Sequence, residues 1–270
     1  MIDVIIDGKH RQLPQSWTEA TPKQVQIIAT LLLSSKYTRE ELQLLILHAL
    51  LDIPARLYKQ IDIHQMLDLM DLAGFSFEAY NSEKLPWSIL QIGSRRFAAP
   101  ADDMDNLTVA EYTIIESAYK DYKEFEDIKY LYKVAAVLYR PLRFMARIRR
   151  FFTPSLDIRK PLDDATIVSR SKLFEAKLPP AMMHIITAWY NHCHTRIEAD
   201  NDLVFKKIEE NQPTEQPASY GFVEVVNDIA GPKWGKIEEV LQQNLKSVMY
   251  FLQIEEKKRR DREFQERLSK

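Results

Sequence analysis

The chain has 270 residues, 46% of them hydrophobic and 28% charged, with a formal net charge of -2. This is apolar enough for one large core or two of ordinary size, which excludes a disordered chain. The near balance of charge excludes wholesale attraction to nucleic acid, and the lone Cys193 excludes an internal disulfide. Six glycines include no GxGxxG or GxxxxGKS/T pattern, so phosphate-cradling loops of those types are absent.

In chain order, Val4, Ile5 and Ile6, then Asp7-Gly8, then His10 to Leu13 predict a short hairpin, because Asp-Gly favours the tight turn that joins two antiparallel strands. The run before that turn has no basic stretch and carries Asp3, so it does not read as a signal peptide. Thr21-Pro22 then predicts a helix start, a capping residue followed by proline at the first helical position, with Val25, Ile28, Ala29 and Leu32 on one face. Thr38-Arg39-Glu40-Glu41 is a capping box for a second helix carrying Leu42, Leu45, Ile46 and Leu50, and the two form a helical hairpin. Met66, Leu67, Leu69 and Met70 mark a further helix, with Gly74 expected as its C-terminal cap.

The period then changes from helical to alternating. Residues 88–92 and 95–98, joined by Gly93-Ser94 and fenced by Pro86 and Pro100, predict a second hairpin. The two hairpins are free to pair into one small sheet. Asp102, Asp103 and Asp105 read as turn and N-cap acids for the helix that opens near Val109, where Tyr112, Ile115, Tyr119 and Tyr122 share a face. Leu131, Val134, Ala135 and Leu138 mark the next helix, which Pro141 ends. Residues 140–161 lack a clean period and hold three prolines, so they read as a basic junction between an N-terminal helical unit, 1–139, and a C-terminal one, 162–270. Within the second unit, helices are expected at 163–176, 180–198, 202–210, 220–230 and from 236 onward, with a polar linker at 212–217. The fold class is therefore mainly α: a multi-helix bundle with one or two short β-hairpins.

Three features bear on function. First, residues 140–160 carry Arg140, Arg143, Arg147, Arg149, Arg150, Arg159 and Lys160 against Asp157 alone, with Phe144, Phe151 and Phe152 interleaved. Arginine grips phosphate or carboxylate with two parallel hydrogen bonds, so Arg140, Arg143, Arg147, Arg149 and Arg150 are candidate contacts for a protein partner or for a polyanion such as nucleic acid. Second, Phe222, Val226 and Trp234 surround a Gly-Pro stop at 231–232 and form either tight core packing or a docking groove for a partner helix. Third, the last helix carries an apolar stripe at Val240, Leu241, Leu245, Val248, Met249 and Leu252 that stops after Ile254. Acid-before-base pairs such as Glu256/Arg260 follow at i,i+4, with only Phe264 and Leu268 left for apolar contact, so residues 255–270 are expected either to project to a partner or to fray as a charged tail.

Catalytic chemistry has weak support. Asn191-His192-Cys193-His194 offers metal-ligand types, but neighbours on a helix point about 100° apart and cannot converge on one ion. Asp163-Asp164 reads as a helix cap, and no central glycine or distal glutamate makes a calcium loop. No catalytic, metal-binding or cofactor-binding residues are assigned.

Trp17-Thr18-Glu19-Ala20-Thr21-Pro22-Lys23-Gln24, Val137-Leu138-Tyr139-Arg140-Pro141 and Asp157-Ile158-Arg159, together with a long C-terminal helix and charged tail, resemble proteins encoded among the tail genes of bacteriophages and prophages of Bacteroides-type hosts, in particular tail assembly chaperones. The resemblance implies a helical, non-enzymatic protein that binds other phage assembly proteins, with a homo-oligomer also open. It also implies the cytoplasm of a bacterial host, with retention in the virion as the other possibility. No apolar run approaches the roughly 18 residues that a membrane-spanning helix needs, so a membrane partner is not expected.

Overall fold

The computed structural model describes residues 1–6, 8–52, 54, 56, 61–143, 157–205, 230 and 234–269. The fold is mainly α with short antiparallel strands in two small sheets. The chain forms two compact units: Met1–Ser88 with Phe174–His192, and Ile89–Leu173 with Cys193–Lys270. This division is interleaved along the chain, and residues 144–156 of the junction expected at 140–161 lie outside the described residues. It changes unit inside two continuous helices, because a helix keeps its hydrogen bonding wherever its side chains change neighbours.

In the first unit, β1 (Ile2–Ile6) and β2 (Lys9–Leu13) pair antiparallel, Ile2 opposite Leu13 and Ile6 opposite Lys9. Gly8 supplies the positive φ, +68°, that the turn needs. Helix α1 (Pro22–Leu32) starts on a capping box in which the Thr21 hydroxyl accepts from Gln24 N and the Gln24 side chain accepts from Thr21 N. Gln24 also reaches across to α2 (Arg39–Leu51), donating to Leu50 O at 3.1 Å. Val25, Ile28 and Ala29 of α1 and Ile46, Leu47, Leu50 and Leu51 of α2 are buried, as the hairpin reading requires. Helix α3 (Ile63–Leu72) buries Met66 and Met70 but leaves Leu67 half exposed. It does not end on Gly74. Ala73 is its C-cap, and the chain tightens into a 3-10 turn, Ala73–Phe77, that contains the glycine. The turn carries Phe75 to the edge of Trp17, 5.6 Å between ring centroids and nearly perpendicular.

In the second unit, β3 (Ile89–Ile92) and β4 (Arg95–Ala98) make the second hairpin, turning at Gly93 with φ +60°. The two hairpins lie in separate sheets. The partner of the second is β5 (Arg140–Pro141), which sets Phe97 opposite Pro141 and Ala98 opposite Arg140. Helix α4 (Val109–Phe125) packs Tyr112, Ile115 and Ala118 inward, and α5 (Lys129–Leu138) is buried along almost its whole second half. Helices α6 (Asp164–Lys177) and α7 (Pro180–Asp200) follow. The single last helix expected from residue 236 is two, α8 (Ile237–Leu241) and α9 (Leu245–Leu268), broken at Gln242 to Asn244. The break has a cause: Asn244 bridges to Thr108, Val109 N donates to Gln243 O at 3.1 Å and Leu245 N donates to Leu107 O at 2.8 Å, so backbone groups that would continue the helix are used across the unit. No helix among the described residues is long and apolar enough to cross a membrane.

Candidate functional site

The basic stretch folds inward at its two ends. Arg140 is 3% exposed, and its Nη2 lies 2.8 Å from Asp157 Oδ2 and 3.1 Å from Glu111 Oε1. Arg159 is fully buried: Nε and Nη2 donate to the Asp157 carboxylate at 3.0 Å each, Nη2 also donates to Asn106 O at 3.0 Å, and Nη1 donates to Leu138 O at 3.1 Å. Arg143 donates from Nε to Arg159 O at 2.7 Å. Leu142 bridges to Arg159, so 140–143 and 157–160 run against each other. Arg140 is thus committed to internal carboxylates instead of facing a polyanion, while Arg147, Arg149 and Arg150 lie outside the described residues.

Glu111 is the partner that the sequence reading missed. Its Oε2 accepts from Thr108 N at 2.9 Å, completing a capping box for α4, while Oε1 faces Arg140 and Arg159 at 3.1 Å each without an aligned hydrogen bond. The signal was present in the Thr-x-x-Glu spacing of Thr108 and Glu111. Asp102, Asp103 and Asp105 do not cap that helix. Asp103 and Asp105 instead hold Lys246 Nζ at 2.7 and 2.6 Å, and Asp103 also meets Arg196 at 3.5 Å. Asp163 does act as expected, accepting from Ala165 N at 3.1 Å at the start of α6.

In the histidine and cysteine cluster, burial, with Asp103 adding to it, pushes the Cys193 thiol up to about 12, so it is a buried neutral side chain and not a thiolate. His194 is placed between Glu116, Nε2 to Oε1 3.2 Å, and Glu198, Nδ1 to Oε2 3.4 Å, with its ring stacked on Tyr112. Burial favours the neutral imidazole. The Glu116 hydrogen bond and the two carboxylate charges outweigh it and raise the pKa above the ordinary 6.5. A raised folded-state value gives stability that is fully present below 6.5 and is lost as the pH climbs through that value. His194→Gln is therefore expected to unfold at a lower temperature than the native chain in mild acid, with the gap closing as pH rises. Thermal melts of both proteins across that window check this, and a gap that stays constant would remove His194 as the titrating group.

Of the predicted docking groove, Phe222 and Val226 lie outside the described residues, while Trp234 meets Phe251 of α9 edge to face at 4.6 Å. Along α9, Leu245, Val248 and Met249 are buried, and burial then reaches two residues beyond the expected end of the stripe, to Glu256, 5% exposed. The Arg259 hydrogen bond, working against burial, and then Arg260 hold the Glu256 carboxyl down to about 2. An ion pair from Arg259 to Glu263 continues the series. Phe264 and Leu268, one turn apart, are 60% and 66% exposed. Burial along α9 therefore passes Glu255 and reaches a paired carboxylate that the apolar pattern gives no sign of.

No family model, curated protein or solved structure matches this chain.

Proposed function

We propose that this chain is a non-enzymatic assembly protein of the bacteriophage or prophage tail kind, which binds a helical partner protein through the distal part of α9. The observation that carries the binding reading is the exposure of Phe264 and Leu268 at i,i+4 spacing on a helix that starts on an Asn244 cap and carries the ion pairs of Glu256, Arg259 and Glu263. Two apolar side chains one turn apart are the minimal anchor of helix-in-groove recognition, and a preformed helix offers them at low ordering cost. The phage setting rests on the resemblance of residues 17–24, 137–141 and 157–159. The partner is then another tail assembly protein, met in the cytoplasm of the host cell.

The test is co-expression with the products of neighbouring genes, followed by affinity capture. A partner should be retained by the native chain, and Phe264→Ser with Leu268→Ser should weaken it at least about tenfold, roughly 1.4 kcal/mol. The same substitutions should change folding stability by no more than about 0.5 kcal/mol, since both positions are exposed. Undiminished capture by the double variant would place the contact elsewhere. Recovery of the free chain with every neighbour would end the assembly reading.

A further inference from the structure

We propose that this chain pairs with a second copy of itself, the distal part of α9 of each copy lying in a groove between α4 and α8 of the other. The groove belongs to the second unit and measures about 540 Å³, within the range of pockets that take a drug-sized ligand, so it has room for a pair of apolar side chains. Ile114 of α4, Leu162 before α6, and Ile237 and Leu241 of α8 supply its apolar lining, and Ile237 is 43% exposed. Asp163, Asp164 and Glu238 also line it and are exposed, and no lysine or arginine among the described residues does so.

The distal part of α9 carries the complementary pattern. Residues three, four and seven apart share a helix face, which places Lys257, Arg260, Asp261, Arg267 and Leu268 beside Phe264: two apolar side chains, with three cations against one acid. Lys257 and Arg267 are exposed and, like Asp164 and Glu238, have no ion-pair partner among the described residues. An acidic apolar groove therefore faces the solvent in the same unit that presents a basic apolar helix end. Opposite charges around matching apolar centres fix the orientation of a contact and disfavour other partners.

The occupant has to come from another molecule. Leu241 and Gln242 of the groove immediately precede α9, which rises about 1.5 Å per residue, so Phe264 lies roughly 28 Å along the axis from Leu245. A continuous helix thus carries its anchor away from the groove at its own base. Two copies related by a two-fold axis fill both grooves with both helix ends, a contact that closes at two chains. The inference rests on the reading of Phe264 and Leu268 as a binding anchor and deepens it, naming what covers them before an assembly partner arrives and displaces the second copy.

Analytical ultracentrifugation of the purified full chain, alone and between about 1 and 100 µM, tests it. A rise from the mass of one chain to that of two is expected. Asp164→Lys plus Glu238→Lys in the groove, or Lys257→Glu plus Arg267→Glu on the helix end, should each weaken pairing at least about tenfold, and the chain carrying all four should recover it to within about threefold of native. Phe264→Ser plus Leu268→Ser, both exposed, should abolish pairing with the fold intact, and this variant decides the matter if a charge variant fails to fold. The groove variant keeps its helix end, so it should still capture a neighbouring gene product. Pairing by the native chain with no neighbour captured would support this inference and end only the assembly reading. A monomer at every concentration, species larger than two chains, pairing that survives either charge variant, or no recovery in the chain carrying all four would overturn it and leave the assembly reading to its own capture result. Capture lost from the groove variant, with the native chain monomeric, would overturn it by placing a different protein in the groove.

Discussion

Replacing Arg159 with Ala is expected to destabilise the unit that contains it by about 3–5 kcal/mol, the cost of leaving buried charges without their partner. Arg159 is fully buried and joins four different points of the chain: Asp157, Asn106, Leu138 and Glu111. Its loss would strand the Glu111 carboxylate, 0% exposed, against Arg140 alone. Arg159→Lys should fall between the two, since an ammonium keeps the charge but cannot donate to the Asp157 carboxylate with two parallel bonds. Hydrogen exchange of the α5 amides under native conditions reports on this unit separately. A loss of less than about 1 kcal/mol in the alanine variant would mean that Arg140 and water take over the carboxylates, and the buried arginine would not be the fastener described above.

The second large effect concerns the other unit. Trp189 is fully buried on α7, and its indole Nε1 donates to Glu83 O at 2.9 Å. Trp189→Ala should cost about 3–5 kcal/mol, from lost apolar contact and the cavity left behind. Trp189→Phe should cost less, about 1–3 kcal/mol, because most of the ring volume stays while the Glu83 carbonyl loses its donor. Exchange of the α2 amides reads this unit. Equal losses for the two variants would show that the hydrogen bond, and not the volume, dominates. No loss in either would show that the tryptophan does not secure the unit.

Local signals in the sequence were sufficient for much of this fold. Thr21-Pro22 and Thr38 with Glu41 start helices where their chemistry says they must, and Gly8 and Gly93 turn the hairpins at the positions that need positive φ. These are decisions made within four residues, which is the range that capping and turn geometry act over. Features that depend on distant partners were not legible. Nothing near Arg140 announces that Asp157 and Glu111 will take its charge, so a stretch dense in arginine reads as a surface when its ends are interior. The break before α9 depends on Leu107 and Thr108, more than a hundred residues earlier, and a helical stripe carries no trace of it. Glu256 fails for the opposite reason: hydropathy places a carboxylate outside, and two arginines on its own helix make its burial affordable.

Glu111 serves two structures at once: one oxygen secures the first turn of α4, and the other faces the two arginines that hold β5 to its return segment. Helix initiation and closure of that crossing are therefore not separate events. Each stabilises the carboxylate position that the other requires, so losses at Thr108 and at Arg159 should fail to add, and this region should open in a single cooperative step instead of fraying from either end.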